Sequence, residues 1–191
     1  MVNRARRGEG RRDRAAMTLL RGWRASPVVL PLAVAAGVLV VDQGTKQWAL
    51  AVLADGPIDL VWTLKFRLTF NSGMAFGAGS GVGPLIGIVA VGVVVVLVRQ
   101  AMSSATQLTR VAAGVLLGGA VGNLVDRLIR DDAWLRGRVV DFIDLGWFPV
   151  FNVADMAINI GAVLLVIAMW REARAAHDGD VVRDSESGFH Q

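Results

Sequence analysis

The sequence predicts an all-α membrane protein: a four-transmembrane-helix bundle with a small extracytoplasmic β element and an outer loop carrying a short helix. Three observations predict it. Hydrophobic residues make up 54% of the 191 and mean hydropathy is +0.51, too apolar for an ordinary soluble domain. Apolar runs of a length suited to a bilayer recur along the chain. Arginines gather at both ends and around one polar connection, the distribution of cytoplasmic segments.

Residues 1–26 are dense in arginine and poor in core formers, and read as a disordered basic arm on the cytoplasmic side. The first span starts at Pro27 and continues through Trp48 to Leu53. Ala33-Val34-Ala35 resembles a leader-peptide cleavage site, but it lies inside the apolar run and the helical pattern passes beyond it. Asp42, Thr45 and Lys46 share one face of this helix, so a carboxylate and an ammonium can neutralise each other there. Their expected role is to brace the bundle and support a site indirectly.

Asp55 to Ser80 is too polar to span. Gly56-Pro57 marks a turn. From Trp62 to Phe70, Leu64, Phe66, Leu68 and Phe70 alternate with Thr63, Lys65, Arg67 and Thr69, a strand with one apolar face. It runs into FNSGMAFG, where Gly73 and Gly77 permit tight turns and Asn71 offers both a donor and an acceptor to a substrate backbone.

Pro84 to Val98 is the second expected span, and Arg99 and Arg110 bracket a cytoplasmic connection. Val111 to Leu128 is the third. Its Gly114, Gly118 and Gly122 form a small-residue face for close helix packing. Asn123, Asp126 and Arg127 follow at i, i+3 and i+4, with Asp126 and Arg127 expected as an ion pair and Arg127 as a donor to substrate carbonyls. Ile129 to Pro149 reads as an outer loop with interfacial Trp134, Trp147 and Phe148. The fourth span runs from about Val150 to Trp170. Asn152, Asp155 and Asn159 project within an arc of about 60° and are expected to face into the bundle. Residues 27–170 thus form one membrane domain, and 171–191 a polar cytoplasmic tail without structure.

Composition also excludes chemistries. There is no cysteine, hence no disulfide, thiol nucleophile or cysteine metal site. His177 and His190 both lie in the tail, so the apolar part lacks the means for a histidine triad or an HExxH zinc site. No metal and no cofactor are expected. The net charge of +4 belongs to the topology signals, and no nucleic-acid partner is expected.

Two carboxylates remain, each in an apolar setting: Asp141 in RVVDFID and Asp155 in FNVADMAINI. A carboxylate at membrane depth is costly and is a functional candidate by default. Two neighbours in a site of low dielectric share a proton, so that one serves as base on a water and the other as acid. A peptidase of the aspartyl type fits. The alternative reading is a small transporter in which the same carboxylates carry protons or ions.

DQGTK, FNSGMAFG, GGAVGNLVDR, VVDF and FNVADMAINIG, in that order, resemble the box pattern of the lipoprotein signal peptidases, the signal peptidase II family. The resemblance runs from about Val38 to Gly161, and five ordered boxes make it specific. It implies a bacterial inner-membrane aspartyl endopeptidase that cleaves prolipoprotein signal peptides before a cysteine carrying diacylglycerol. By the same resemblance Asp141 and Asp155 are the catalytic pair. Asn71, Arg127, Asn123 and Asn152 bind substrate, and Asp42, Lys46, Asp126 and Asn159 support the site. Lipid-modified precursors and membrane lipids are the partners, both termini are cytoplasmic, the site lies near the outer face, and a monomer is expected. The segment from Leu128 to Val140 is longer than in many members, and the arginine-rich arm lies outside the resemblance.

Overall fold

The computed structural model describes residues 28–72, 88, 89, 91–93, 95, 96, 99, 106–130 and 137–187. Helix α1 spans Val29–Val52, strands β1 and β2 span Ile58–Val61 and Leu64–Asn71, helix α2 spans Gln107–Ile129, strand β3 spans Val139–Asp144, and helix α3 spans Val153–Ser187. The three helices are each long and apolar enough to cross a membrane. The second expected span falls largely outside the described residues; those described between 88 and 99 are helical. The N-terminal arm and Gly73 and Gly77 also lie outside them.

Helix α2 packs between the other two, and its small residues are the reason it can. A Cβ on Gly114 would stand 2.6 Å from the Pro31 carbonyl oxygen, and one on Gly118 would stand 2.6 Å from Val38 Cβ. On the α3 side, a Cβ on Gly119 would stand 2.6 Å from the Ala154 carbonyl oxygen, and one on Gly161 of α3 would stand 2.7 Å from Leu116 Cγ. Glycine here brings backbones together, which is how helices associate where water supplies no driving force between them. At its other end α2 starts at Thr106, whose hydroxyl accepts the Thr109 N–H at 3.3 Å. The Thr106 and Thr109 hydroxyls both donate to Glu172 of α3 at 2.7 Å, locking the two helices together.

The expected single strand from Trp62 is a hairpin. Val61 pairs with Leu64 across a two-residue turn, with Trp62 fully exposed at φ 52. A two-residue turn with positive φ suits the right-handed twist of paired strands. The antiparallel sheet has the order β1-β2-β3. Strand β3 lies within the segment expected as loop and short helix, and its buried run VVDFID covers both faces. Phe66 and Leu68 of β2 join Phe142, Ala49, Leu53 and Val153 in an apolar cluster that seats the sheet on the end of α1. Trp48 meets Phe66 edge-on at 5.3 Å and Phe142 at 6.1 Å.

The segment expected as an unstructured tail is helical as far as Ser187. Arg171, Glu172, Ala173, Arg174, Ala175 and Ala176 are strong helix formers that extend a helix already nucleated by packing. Arg174 lies 4.3 Å from the Trp170 ring at this exit.

Candidate active site

Asp144 starts the turn that assembles the site. Its Oδ1 accepts the Gly146 N–H at 2.8 Å, an Asx turn, and Gly146 takes φ 81. Its Oδ2 accepts Arg67 Nε at 2.8 Å, tying the turn to β2. The chain reverses, and the Phe151 carbonyl accepts the N–H groups of Phe142 and Ile143 at 3.1 and 2.9 Å. Asn152 is thereby set beside β3. Phe142 faces the apolar cluster, so its neighbour Asp141 turns to the opposite face.

Asn152 caps α3. Its Oδ1 accepts the Asp155 N–H at 3.0 Å, and the Asp155 Oδ2 accepts the Asn152 N–H at 3.1 Å. This is the reciprocal capping box, built from Asn and Asp. With Oδ1 thus occupied, Asn152 Nδ2 donates to Asp141 Oδ1 at 2.6 Å. One asparagine therefore holds both carboxylates.

A second asparagine reaches Asp155 from α2. Asn123 Nδ2 donates to Asp155 Oδ1 at 2.9 Å. Its Oδ1 accepts from Lys46 Nζ at 2.9 Å and from Asn152 Nδ2 at 3.2 Å. An ammonium can only donate, so Lys46 fixes which end of the Asn123 amide faces the carboxylate.

Lys46, Asp42 and Asp126 are wholly buried. The ammonium lies 2.9 Å from Asp42 Oδ2 and 3.0 Å from Asp126 Oδ2. Asp42 Oδ1 also accepts the Ala154 N–H at 2.9 Å, at the positive end of α3. Asp126 accepts Arg130 Nε at 2.8 Å and the Val140 N–H at 3.1 Å. The expected Asp126–Arg127 pair is thus replaced by Lys46 and Arg130. Neighbouring residues on a helix point about 100° apart, whereas i and i+4 share a face. Sequence reasoning also passed over Gln43, whose Nε2 donates to Asp42 Oδ2 and the Gly122 carbonyl at 3.1 Å and to Asp126 Oδ1 at 3.3 Å. The i, i+4 spacing of Asp126 and Arg130 is a usable signal, and Gln43 lies within the DQGTK box, three residues before Lys46.

Asp141 is only 2% exposed. Burial, then the nearby Asp155 carboxylate, push its pKa up to about 6, against hydrogen bonds from Asn71 and Asn152 and the more distant Lys46. Asn71 at the end of β2 thus points its side chain at Asp141. Arg127 is buried, sits in the field of Asp141, Asp126 and Asp155, and keeps its Nη1 without a hydrogen-bond partner.

Asp155 is partly exposed and opens onto a cavity of about 390 Å³ lined by Leu145, Trp147, Phe148, Phe151, Met156, Asn159 and Ile160. Asn159 was expected to face the bundle interior. It is exposed on the cavity wall, its Nδ2 donating to the Asp155 carbonyl at 2.9 Å. Among the described residues no cluster of three or more histidine or acidic side chains could hold a metal.

These features belong to a membrane protein of several spans in which one buried and one half-buried carboxylate are held together beside the end of the bundle. Residues 34–171 match the family model of signal peptidase (SPase) II. The chain belongs to the signal peptidase II family, and so is a peptidase. The lipoprotein signal peptidase of Mycobacterium avium (strain 104) is 44% identical over 140 residues, 72% of this chain and 77% of that protein. That of Rhodococcus jostii (strain RHA1) is 43% identical over 141 residues, 73% of this chain and 71% of that one. A bacterial membrane enzyme solved by the in meso method at 1.9 Å is 31% identical, with a TM-score of 0.64 over 73% of this chain and 91% of its own.

Proposed function

We propose that the chain is an aspartyl endopeptidase that removes signal peptides from diacylglyceryl-modified prolipoproteins, cutting before the lipidated cysteine. The observation that carries this reading is the grip of Asn152 on both Asp141 and Asp155. Asp141, buried and with raised proton affinity, is the acid of the pair. Asp155, open to the cavity, is the base.

The proton balance closes. Asp155 takes a proton from water as the hydroxide adds to the scissile carbonyl carbon, and Asp141 gives its proton to the carbonyl oxygen. As the C–N bond breaks, Asp155 passes its proton to the leaving nitrogen and Asp141 recovers one from the diol. No covalent intermediate is required. Arg127 Nη1, a buried donor in want of an acceptor, suits a substrate carbonyl. The aromatic cavity beside Asp155 suits the apolar part of a lipid-anchored substrate. The arginines gathered at both ends of the sequence support cytoplasmic termini and a site near the outer face.

The test is incubation of the purified protein with a diacylglyceryl-modified precursor, with products read by mass. Cleavage before the modified cysteine is expected, with none by Asp141→Asn or Asp155→Asn variants that insert and fold normally. Substantial turnover by either variant would sink the assignment. Ion flux through liposomes without cleavage would favour a transporter.

A further inference from the structure

The outer end of α2 carries a second polar centre that the carboxylate pair does not use. The chain leaves α2 at its cap residue Arg130 and returns at Gly137, whose N–H donates to the Arg127 carbonyl at 3.1 Å. The return is close. A Cβ on Gly137 would stand 2.5 Å from the Asp126 carbonyl oxygen and 2.8 Å from that of Arg127, so glycine is required. Arg130 and Arg138 are set on either side of this contact. Together with Phe70 and Ile129 they line a cavity of about 590 Å³.

Both guanidiniums have donors to spare. Arg130 uses Nε on Asp126, and its Nη2 is buried with no partner. Arg138 is exposed and makes no ion pair among the described residues. Asp126 is already engaged by Lys46, Arg130 and the Val140 N–H, so it does not neutralise Arg138. Two arginine forks at one cavity match the oxygens of a phosphate.

The rim is apolar. Ile129 is 65% exposed, Leu128 42% and Phe70 47%. Ile129 is also the last residue of a helix suited to crossing a membrane, so the arginines stand where that helix meets the headgroup layer. A phosphate with apolar tails at that depth is a phospholipid. A zwitterionic headgroup would bring its own cation beside two guanidiniums; an anionic one would not.

We propose that Arg130 and Arg138 form a binding site for the phosphate of an anionic bilayer phospholipid, its acyl chains lying along Ile129 and Leu128. The bound phosphate neutralises the Arg138 guanidinium, which makes no ion pair among the described residues. It also steadies the end of β2, where Phe70 precedes Asn71.

The experiment uses the full chain in nanodiscs of phosphatidylglycerol or phosphatidylcholine, extracted into detergent, with bound lipid read by native mass spectrometry. Wild-type protein should retain phosphatidylglycerol over phosphatidylcholine. Arg138→Gln should lower that retention roughly tenfold or more, the loss of one charge-assisted contact. Arg138→Lys should restore part of it. Arg130 also holds Asp126, so Arg138 is the safer position, and the melting temperature of each variant checks its fold. Equal retention of the two lipids, or retention unaffected by Arg138→Gln, would overturn the proposal. Displacement of the lipid by excess inorganic phosphate would assign the site to free phosphate and overturn it as well.

Discussion

Lys46 shows how much one side chain organises. It is the ammonium between Asp42 and Asp126, and it turns Asn123 so that an amide N–H faces Asp155. Lys46→Met leaves two buried carboxylates without that cation, a loss of about 3–5 kcal/mol. The melting temperature in detergent should drop, and in the protein that remains folded kcat should fall more than KM changes. Asp141 sets a pH dependence. Its folded pKa of about 6 lies above the ordinary 3.8, so between those values the folded state holds more protons than the unfolded state. Stability from this group is therefore full below about pH 3.8 and declines as pH rises through about 6. Asp141→Asn should accordingly be more heat-stable than wild type at pH 7.5 while losing cleavage, with the stability gap closing toward pH 4. If Asp141 is the acid, as proposed, kcat/KM falls along an alkaline limb as it deprotonates. Asn71 favours the charged form, so Asn71→Ala should move that limb to higher pH. A limb unmoved in the variant would detach Asn71 from Asp141.

Among the elements, α2 has the least room for change. A Cβ on Gly122 would stand 2.5 Å from Asp42 Oδ2, the carboxylate that also accepts the Ala154 N–H at the start of α3. Gly122→Ala should push Asp42 away, loosen the junction of three helices, and lower both activity and melting temperature. Gly44 in α1 has open space around its missing Cβ. Gly44→Ala should be neutral or stabilising, by up to about 1 kcal/mol from helix propensity. If the two substitutions behave alike, close packing at Gly122 is not what holds the junction. The start of α3 follows the same logic. Asn152 is at once helix cap and carboxylate holder, so Asn152→Ala should cost about 1 kcal/mol of stability. Its effect on turnover should be far larger than that cost accounts for.

Across the whole molecule, the helices place Glu172 and the sheet at opposite ends of the bundle. Thr106 and Glu172 meet at one end, while β3 and the capping box of α3 meet at the other. Cysteine is absent, so single replacements give clean labels. In intact cells an impermeant thiol reagent should label Asp59→Cys and spare Asp178→Cys. The reverse pattern would put the carboxylates on the cytoplasmic side, against processing of exported lipoproteins.

The apolar helices, the glycine face of α2 and most of the polar residues that meet at the site were legible along the chain. Each is a local property: run length, spacing on a helix, and the cost of a carboxylate in an apolar segment. The helical continuation past Trp170 was legible in principle, since its residues favour a helix, but polarity masked it. Tertiary structure alone decided the partners. Asp126 pairs across 80 positions with Lys46 rather than with the adjacent Arg127, because helix packing chooses which face meets which. VVDF became a strand only because β2 was there to pair with it, and a strand's preference depends on its neighbours. Asn152 joins Asp141 to Asp155 because the Asp144–Gly146 turn folds the chain back on itself. No periodicity in the sequence records such a contact; it exists only once the elements are packed.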